Sequence, residues 1–283
     1  MNYLITGATG DVGSKVVDGL IKQGERPRVF VRDAEKARSR FGDRVDVFSG
    51  DLANTGSLKT ALEGVDVLFL VNSGPQIPVR DDAAAKAAKA ASVRHLVKLS
   101  SMDVQQGLAI GAWHEQGGMA IRAIGIPFTF VQPTGFMSNL LAWARPIKTE
   151  NVVRSATGEG RRAFIHSEDI AAVAVQALTT GNYEGQSLPI TGPVALTFGE
   201  ATVRIGTAIG KSVTFLPISD EEARQRYSAV SGSEEETEAH VSLWRAIREG
   251  RLATVNHNVE HILGRKPIVL DQWIKENIGA FLD

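Results

Sequence analysis

The chain has 283 residues, and its hydrophobic fraction of 43% and charged fraction of 22% are those of an ordinary globular protein. Its 31 lysines and arginines nearly balance its 32 aspartates and glutamates, so no overall field favours binding to nucleic acid or to an anionic membrane surface. The sequence contains no cysteine, which excludes disulfides, thiolate metal sites and cysteine nucleophiles. We expect a small-molecule partner, and a monomer or a homodimer.

No apolar run in the sequence is long enough to span a bilayer. The first predicted strand begins at residue 2, which leaves no room for a signal peptide before it. These two observations predict a cytoplasmic protein without a membrane segment.

The first half of the chain alternates short β-branched runs with helical stretches, which is typical of a parallel sheet covered by helices. Strands are predicted at residues 2–6, 26–31, 45–50, 65–71, 94–100 and 127–132. Helices are predicted at residues 12–23, 34–41, 56–63, 80–91 and 112–124. The pattern indicates the α/β class, with a Rossmann-type doubly wound parallel sheet.

After Pro133 the alternation becomes irregular. Residues 151–165 predict two short strands around a glycine-containing turn, and residues 167–180 predict a helix with Ser167 as its N-cap. The remaining predicted elements are a strand at 185–191, a polar helical pair at 219–250 broken at SGS, and an amphipathic stretch at 255–282.

Two domains are expected. Residues 1–150 form a Rossmann domain, and parts of residues 160–195 and 255–283 pack back on it. Residues 151–283 mainly form a smaller α/β subdomain.

Three glycines spaced three apart, Gly7, Gly10 and Gly13, follow the first predicted strand and open the first predicted helix. In such a loop the first glycine permits a tight turn, the second lets a pyrophosphate approach, and the third lets helix and strand pack closely. Free backbone N–H groups and the helix dipole favour an anion there. The expected cofactor contacts of the loop are Gly7, Thr9, Gly10, Asp11, Val12 and Gly13. The alternative is a tight turn that binds nothing.

The end of the second predicted strand bears on the choice of cofactor. A fold that prefers NAD usually has an acid there for the ribose 2′-hydroxyl, whereas this strand ends with Arg32 followed by Asp33. Arg32 can pair with a 2′-phosphate in bidentate fashion, and Lys36 adds charge one helical turn later. The sequence therefore favours NADP(H), and NAD(H) remains possible. The alternative is a solvated strand end at which Asp33 neutralises Arg32.

Further cofactor contacts follow from topology, because ligands of such a sheet bind at the carboxyl ends of its strands. The residues that follow predicted strands and are assigned this role are Asp51, Leu52, Asn72, Ser73, Gly74 and Pro133. Serine or glycine at a strand end is equally compatible with plain turn chemistry.

With these residues in view, the chain resembles the atypical short-chain dehydrogenase/reductase superfamily, in its NmrA-like branch. The matching segments are TGATGDVG, FVRDAEKAR, GDL at 50–52, VLFLVNSGP, HLVKLSS, GIPFTFVQPTGFMSNLL and FIHSEDIA, in family order across residues 1–170. The resemblance implies a Rossmann fold that binds NAD(P)H. It makes residues 1–150 the dinucleotide-binding domain, and residues 151–283 mainly a substrate-binding subdomain with lid helices. Members of this branch include quinone oxidoreductases, dye and azo reductases, iminium reductases, and regulators that bind the dinucleotide without turnover.

Two departures from family patterns restrict the chemistry. The only tyrosines are Tyr3, Tyr183 and Tyr227, and none has a lysine four residues on, so the Y-x-x-x-K dyad of alcohol dehydrogenases and epimerases is missing. Many NmrA-like reductases carry H-x-x-x-E before G-I-P, whereas this chain has His114 followed by Gly118 at the position of the acid.

Candidate catalytic residues are His114 and Ser101. A histidine can donate a proton near neutral pH, and a strand-end serine can hydrogen-bond a carbonyl oxygen. The alternatives are a surface histidine on a helix and a satisfied hydroxyl. Phe136 and Met137 are the candidate walls of an apolar substrate pocket, the alternative being core packing. Lys98 either approaches the cofactor or packs its stem and extends its head to solvent.

The other histidines show no metal constellation, so no metal site is expected. The expected activity is hydride transfer from NADPH to a small electron-poor organic acceptor such as a quinone, which needs little acid catalysis. The alternative is a dinucleotide-sensing regulatory protein without turnover.

Overall fold

The computed structural model describes residues 1–282. Its strands are β1 (Tyr3–Thr6), β2 (Arg28–Val31), β3 (Asp46–Ser49), β4 (Val67–Leu70), β5 (His95–Leu99), β6 (Phe128–Pro133), β7 (Val152–Ser155), β8 (Arg161–Arg162), β9 (Gln186–Ile190), β10 (Leu196–Thr197) and β11 (Thr214–Pro217). Its helices are α1 (Asp11–Lys22), α2 (Ala34–Phe41), α3 (Thr55–Leu62), α4 (Ile77–Ala90), α5 (Ala109–Ala123), α6 (Ala144–Glu150), α7 (Ser167–Thr180), α8 (Phe198–Ile209), α9 (Asp220–Ser228), α10 (Glu234–Arg248), α11 (Asn258–Leu263) and α12 (Leu270–Asn277). Short 3₁₀ helices span Gly42–Arg44, Met102–Gln106, Met137–Trp143 and Ile278–Ala280.

A seven-stranded sheet with the order β3-β2-β1-β4-β5-β6-β9 confirms the predicted Rossmann-type fold. All strand pairs from β3 to β6 are parallel. Strands β1, β4 and β5 are fully buried, which explains why their sequences are mainly apolar, with His95 and Lys98 of β5 as buried exceptions. The strand order reverses between β1 and β4, so the carboxyl ends of these two strands form the edge at which such sheets bind ligands.

The chain divides into two compact units. The first unit comprises Met1–Val104, Gly111–Pro133 and Ser167–Pro189, and it contains the seven-stranded sheet. The second unit comprises Gln105–Ile110, Thr134–His166 and the chain from Ile190 onward.

The core of the first unit joins the sheet to the alanine-rich helix α4. Ala84, Ala85 and Ala88 have no exposed surface and pack in one apolar cluster with residues such as Leu68 and Phe130. Small side chains on this face allow the helix to lie close to the strands. The predicted crossover helix is therefore present, and it begins at Ile77 rather than at residue 80.

The core of the second unit contains segments that the sequence placed elsewhere. Met137 and Ile147 are fully buried in an apolar cluster with Trp273 and Phe281. Residues 134–150 and the stretch after 255 therefore belong to the second unit rather than to the Rossmann domain. Their apolar side chains are buried in this cluster, which explains the difference from the expected boundary at residue 150.

The two short strands in residues 151–165 are present, but they do not form the predicted pair around a turn. β7 pairs with β11 in parallel, and β8 pairs with β10 in antiparallel fashion. The glycine-containing turn reverses the chain without setting strand pairing, because both partner strands come from residues after 195.

The polar helical pair is confirmed as α9 and α10, with the break at SGS. Ser233 caps α10 by accepting a hydrogen bond from the N–H of Glu236. Arg224 of α9 pairs with Glu234 at 3.1 Å and with Glu238 of α10. The acidic run thus forms ion pairs with the neighbouring helix. Within residues 1–282, no helix combines the length and the apolar character that crossing a membrane requires.

Candidate functional site

The glycine loop lies in the first unit, between β1 and α1. Gly7 has φ +61°, a conformation that residues with a Cβ rarely adopt. A Cβ on Gly13 would lie 2.2 Å from the carbonyl oxygen of Gly7 and 2.8 Å from its carbonyl carbon. The helix can approach the loop this closely only because Gly13 has no side chain. The first and third glycines therefore do what the motif requires of them.

The start of α1 presents backbone N–H groups. Gly10 is the N-cap and supplies no side-chain hydrogen bond. The first helical hydrogen bond runs from the N–H of Ser14 to the carbonyl of Gly10 at 3.0 Å, so the preceding N–H groups of residues 11–13 are not used by the helix. The loop is a bare backbone cradle at the positive end of a helix dipole, which fits the pyrophosphate of a dinucleotide.

The carboxylate of Asp11 is turned to other partners. Its Oδ1 lies 2.6 Å from Nζ of Lys15, and its Oδ2 accepts a hydrogen bond from the hydroxyl of Ser167. The negative charge is thereby compensated within the first unit. The cofactor contact predicted for Asp11 would therefore be made by its backbone N–H rather than by its carboxylate.

The end of β2 leaves the guanidinium of Arg32 exposed. No carboxylate among the described residues pairs with Arg32. Asp33, which the sequence offered as its neutralising partner, instead caps α2 by accepting a hydrogen bond from the N–H of Lys36 at 2.9 Å. The arrangement leaves the charge of Arg32 available for a 2′-phosphate, with Lys36 also exposed.

The ends of β3 and β4 are shaped by tight turns. Oδ1 of Asp51 accepts a hydrogen bond from the N–H of Ala53 at 2.9 Å, so this carboxylate holds its own turn. Leu52 packs against the apolar core of the first unit. Gly74 has φ +76°, and Ser73 beside it is exposed. The hydroxyl of Thr6 joins the ends of β1 and β4, donating to the carbonyl of Phe69 and accepting from the N–H of Val71.

A buried polar cluster lies beneath the end of β4. Nζ of Lys98 on β5 donates to Oδ2 of Asp81 on α4, and both side chains are 0% exposed. Oδ1 of Asp81 accepts from Nδ2 of Asn72 at 2.6 Å. The ammonium group of Lys98 therefore does not reach solvent. The alternative in which Lys98 packs its stem and extends its head to solvent is wrong about the head. Burial lowers the pKa of Lys98, and the neighbouring Asp81 opposes that shift.

His114 on α5 belongs to the same region. Its Nδ1 is buried and has no hydrogen-bond partner in the described part of the chain. Burial, and secondarily the positive charge of Lys98, lower the pKa of His114 to about 3. The imidazole is therefore neutral at pH 7, and it can offer a hydrogen bond there but not the proton of an imidazolium.

This depressed pKa has a consequence for stability. Between about pH 6.5 and pH 3 the unfolded chain binds a proton at His114 that the folded chain does not, so the free energy of unfolding falls as the pH falls through this range. Between pH 7 and pH 5 the loss from this residue is about 2 kcal/mol. Urea denaturation at both pH values should show a smaller loss in His114→Asn than in the parent. Equal losses would contradict a depressed pKa.

Ser101 follows β5 and is 9% exposed. Its Oγ accepts a hydrogen bond from the N–H of Asp103 at 3.1 Å, which starts the 3₁₀ turn after the strand. The hydroxyl retains its proton for donation. Ser101 lies at the carboxyl end of a strand, so it can still make the predicted hydrogen bond to a substrate carbonyl oxygen. Its catalytic role stays a prediction. Pro133 is the last residue of β6 and is buried.

The predicted pocket residues Phe136 and Met137 lie in the second unit. Met137 is 0% exposed within the apolar cluster, so the structure places it in the core and gives it no accessible surface for a substrate. Phe136 is partly exposed, and its backbone forms a bridge to Ile165. Trp143 packs on Phe198 with ring centroids 5.4 Å apart.

Two other buried histidines have side-chain partners. Nε2 of His166 lies 3.0 Å from Oε2 of Glu276, and Nε2 of His95 lies 3.0 Å from Oγ1 of Thr129. Across residues 1–282, no group of three or more histidine, aspartate or glutamate side chains is arranged to hold a metal ion.

Asp81 and Gly117 were not predicted as site residues. A signal for Asp81 exists, because it lies on one face of α4 with Ile77, Ala84, Ala85 and Ala88, all buried. A carboxylate on an otherwise apolar helical face needs a buried partner, and Lys98 on a buried strand is the matching cation. Gly117 has no comparable signal in the sequence, since its role depends on how closely α5 approaches Asp81.

Comparison with known proteins gives relatives along nearly the whole chain. A family model described as NAD(P)H-binding matches residues 7–181. The chain is 37% identical over 281 residues to the (4-alkanoyl-5-oxo-2,5-dihydrofuran-3-yl)methyl phosphate reductase of Streptomyces griseus subsp. griseus, covering 98% of each chain. It is 34% identical over 284 residues to an NAD(P)H azoreductase of Xenophilus azovorans, also covering 98% of each.

A solved structure shows the same fold. The NADPH-dependent quinone oxidoreductase of Escherichia coli, complexed with NADPH, matches with a TM-score of 0.88 and 23% sequence identity. The match covers 98% of this chain and 99% of that chain. The likeness therefore extends over both units, each of which has a counterpart there.

Proposed function

Because the chain belongs to the NAD(P)H-binding family, we propose that it transfers hydride from NADPH to a small electron-poor organic acceptor such as a quinone. The resemblance drawn from the sequence motifs is confirmed, and so is the NAD(P)H-dependent reductase that it implied. We propose three further points: the chemical class of the acceptor, the preference for a dinucleotide with a 2′-phosphate, and the residues that act in the reaction.

The observation that carries the proposal is the backbone cradle at the start of α1. Gly13 brings the helix so close to the loop that a Cβ would lie 2.2 Å from the carbonyl oxygen of Gly7. The N–H groups of residues 11–13 take no part in the helical hydrogen bonds, which supports pyrophosphate binding at this helix start. Arg32, exposed at the end of β2, supports NADPH over NADH because a guanidinium pairs with a 2′-phosphate.

When bound, the nicotinamide supplies the hydride, and the protein's contribution is to bind, to orient and to exclude water. Ser101 can donate its hydroxyl proton in a hydrogen bond to an acceptor oxygen that gains negative charge. Neutral His114 can donate a second hydrogen bond but cannot protonate the product at pH 7. Such a site suits acceptors that are already electrophilic and whose reduced products gain their proton from solvent after the hydride has been transferred.

The names of the two sequence relatives support an electron-poor acceptor. One is named for an azo compound, and the other for a dihydrofuranone that carries an alkanoyl group and a methyl phosphate. An azo group, a conjugated enone and a quinone share a polarised π-system that accepts hydride without strong acid catalysis. We therefore place this chain's acceptor in that chemical class, with quinones first.

A panel assay tests the acceptor class. NADPH consumption should be followed by its absorbance with a benzoquinone, an azo dye and an acylated butenolide, each compared with a protein-free control. We expect the quinone to give the highest kcat/KM. Equal or greater activity with the azo dye or the butenolide would overturn the ranking, and unaccelerated NADPH loss with all of them would indicate a protein that binds the dinucleotide without turnover.

A further inference from the structure

The ion pair between Lys98 and Asp81 is unusual because neither side chain has any exposed surface. Removing both charges from water costs several kcal/mol per ion, and an apolar pair of similar volume is often at least as stable. Stability alone therefore does not explain why this core contains a lysine and an aspartate. The geometry around the pair supplies a reason.

Asp81 uses its two carboxylate oxygens for two different partners. Oδ2 is bound to the ammonium group of Lys98, and Oδ1 accepts a hydrogen bond of 2.6 Å from the amide Nδ2 of Asn72. An ionised carboxylate can only accept, so the NH₂ of Asn72 must face Asp81. The amide oxygen of Asn72 is consequently directed away from the pair.

Asn72 is where the cluster meets the ligand-binding edge of the sheet. It lies two residues after the end of β4 and is partly exposed, whereas the other two members are fully buried. In a doubly wound sheet, the half containing β1 and β2 binds the adenosine portion of a dinucleotide, and the half beginning with β4 receives the nicotinamide portion. The fixed amide oxygen of Asn72 is an acceptor on that second half.

Space for the carboxylate is preserved by a glycine on α5. A Cβ on Gly117 would lie 2.2 Å from Oδ2 of Asp81 and 2.9 Å from its Cγ. A Cβ on the adjacent Gly118 would lie 3.4 Å from the ring of Phe130, which is ordinary contact. Of these two neighbouring glycines, Gly117 is therefore the one whose missing side chain makes room for the carboxylate of Asp81.

We propose that Asp81 and Lys98 are positioning residues for the nicotinamide half of bound NAD(P)H, acting through the amide of Asn72. Lys98 neutralises and orients the carboxylate of Asp81, and Asp81 fixes the amide so that its oxygen accepts a hydrogen bond from an N–H or O–H donor of the nicotinamide riboside. This inference rests on the proposed function, since it requires the dinucleotide to bind at this edge of the sheet.

The test compares two ligands that differ at the nicotinamide end. NADPH contains that end, whereas 2′,5′-ADP retains only the adenosine and its 2′-phosphate. The double variant Lys98→Met with Asp81→Leu removes both charges at similar volume, and its melting temperature should not fall. Its affinity for NADPH should fall roughly 2- to 10-fold, the usual effect of one hydrogen bond, and its affinity for 2′,5′-ADP should not change.

A second variant keeps the test decisive if the double variant does not fold. Asn72→Ala changes a partly exposed side chain, and it should reproduce the selective loss of NADPH affinity. Adding it to the double variant should cause no further loss, because all three residues act through one hydrogen bond. Unchanged NADPH affinity in Asn72→Ala, or equal losses for both ligands, would overturn the inference.

A matched control removes another buried polar pair, which shares strand β5 with the first. His95 and Thr129 are hydrogen-bonded at 3.0 Å. Both lie near the amino-terminal ends of their strands, β5 and β6, away from the ligand-binding edge of the sheet. Replacing them as His95→Leu with Thr129→Val should leave the ratio of the two affinities unchanged. Binding is measured without turnover, so a parent that binds NADPH but reduces no acceptor would refute the proposed function and leave this inference intact.

Discussion

Gly13→Ala is expected to lower the affinity for NADPH by about 10- to 100-fold, the effect of roughly 1–3 kcal/mol of overpacking expressed at the binding loop. The added Cβ would lie 2.2 Å from the carbonyl oxygen of Gly7 and 3.2 Å from the Cα of Ala8. Both neighbours are backbone atoms, so no side-chain rotation relieves the contact. The helix must move away from the loop, and the N–H groups that we propose bind the pyrophosphate move with it.

Fluorescence titration of NADPH against the parent and Gly13→Ala measures this effect. Gly19→Ala is the matched control, because Gly19 lies on the same helix and its Cβ would be 2.9 Å from a methyl group of Val175, so the variant disturbs helix packing away from the glycine loop. The control should bind NADPH nearly as the parent does. Parental affinity in Gly13→Ala would show that the loop is a tight turn without a role in binding.

Arg32→Ala is expected to weaken NADPH binding by about 10- to 100-fold while leaving NADH binding nearly unchanged. The reason is that a hydrogen bond to a charged group is worth about 1.5–3 kcal/mol and only NADPH carries the 2′-phosphate. The guanidinium is exposed, and the nearest candidate for its neutralisation, Asp33, is committed to capping α2.

The ratio of the dissociation constants for NADPH and NADH measures this preference. Arg38→Ala on the following helix is the control, because it removes an exposed arginine whose partner is Glu35 at 2.6 Å. It should not change the ratio. Similar losses of affinity for both dinucleotides in Arg32→Ala would assign Arg32 a general role in the fold and remove the basis for preferring NADPH.

The sheet could be predicted from sequence because its signals are local. β1, β4 and β5 are short, mainly apolar runs between helical stretches, as expected for parallel strands that are buried on both faces. The glycine loop was equally predictable, since the need for Gly13 arises from its contact with Gly7 six residues earlier, and the need for Gly7 from its own φ of +61°. Ligand-binding strand ends follow from the order of the strands alone.

The remaining features depend on contacts between distant segments. β7 and β11 are more than 50 residues apart in sequence, so the turn between β7 and β8 suggested a pairing that the structure does not contain. Met137 reads equally well as a pocket wall or as core, and only its neighbours in the second unit decide for the core.

His114 shows the same limit for chemistry. Its residue type suggested a proton donor near neutral pH, whereas burial and the charge of Lys98 lower its pKa to about 3. The ion pair of Lys98 joins β5 to α4, and the sequence signals its partner Asp81 only indirectly, as a carboxylate on the buried face of a helix. The pKa of a candidate acid therefore follows from tertiary contacts that a motif does not contain.

The most direct test of the central claim is a single-turnover experiment. Protein saturated with NADPH is mixed with a benzoquinone in a stopped-flow instrument, and the absorbance of the reduced nicotinamide is followed. We predict oxidation much faster than in the protein-free control, and slower again when the NADPH carries deuterium at C4, because the bond to that atom breaks in hydride transfer. Bound NADPH that is oxidised no faster than the control, by this quinone or by the other acceptors of the panel, would contradict the account.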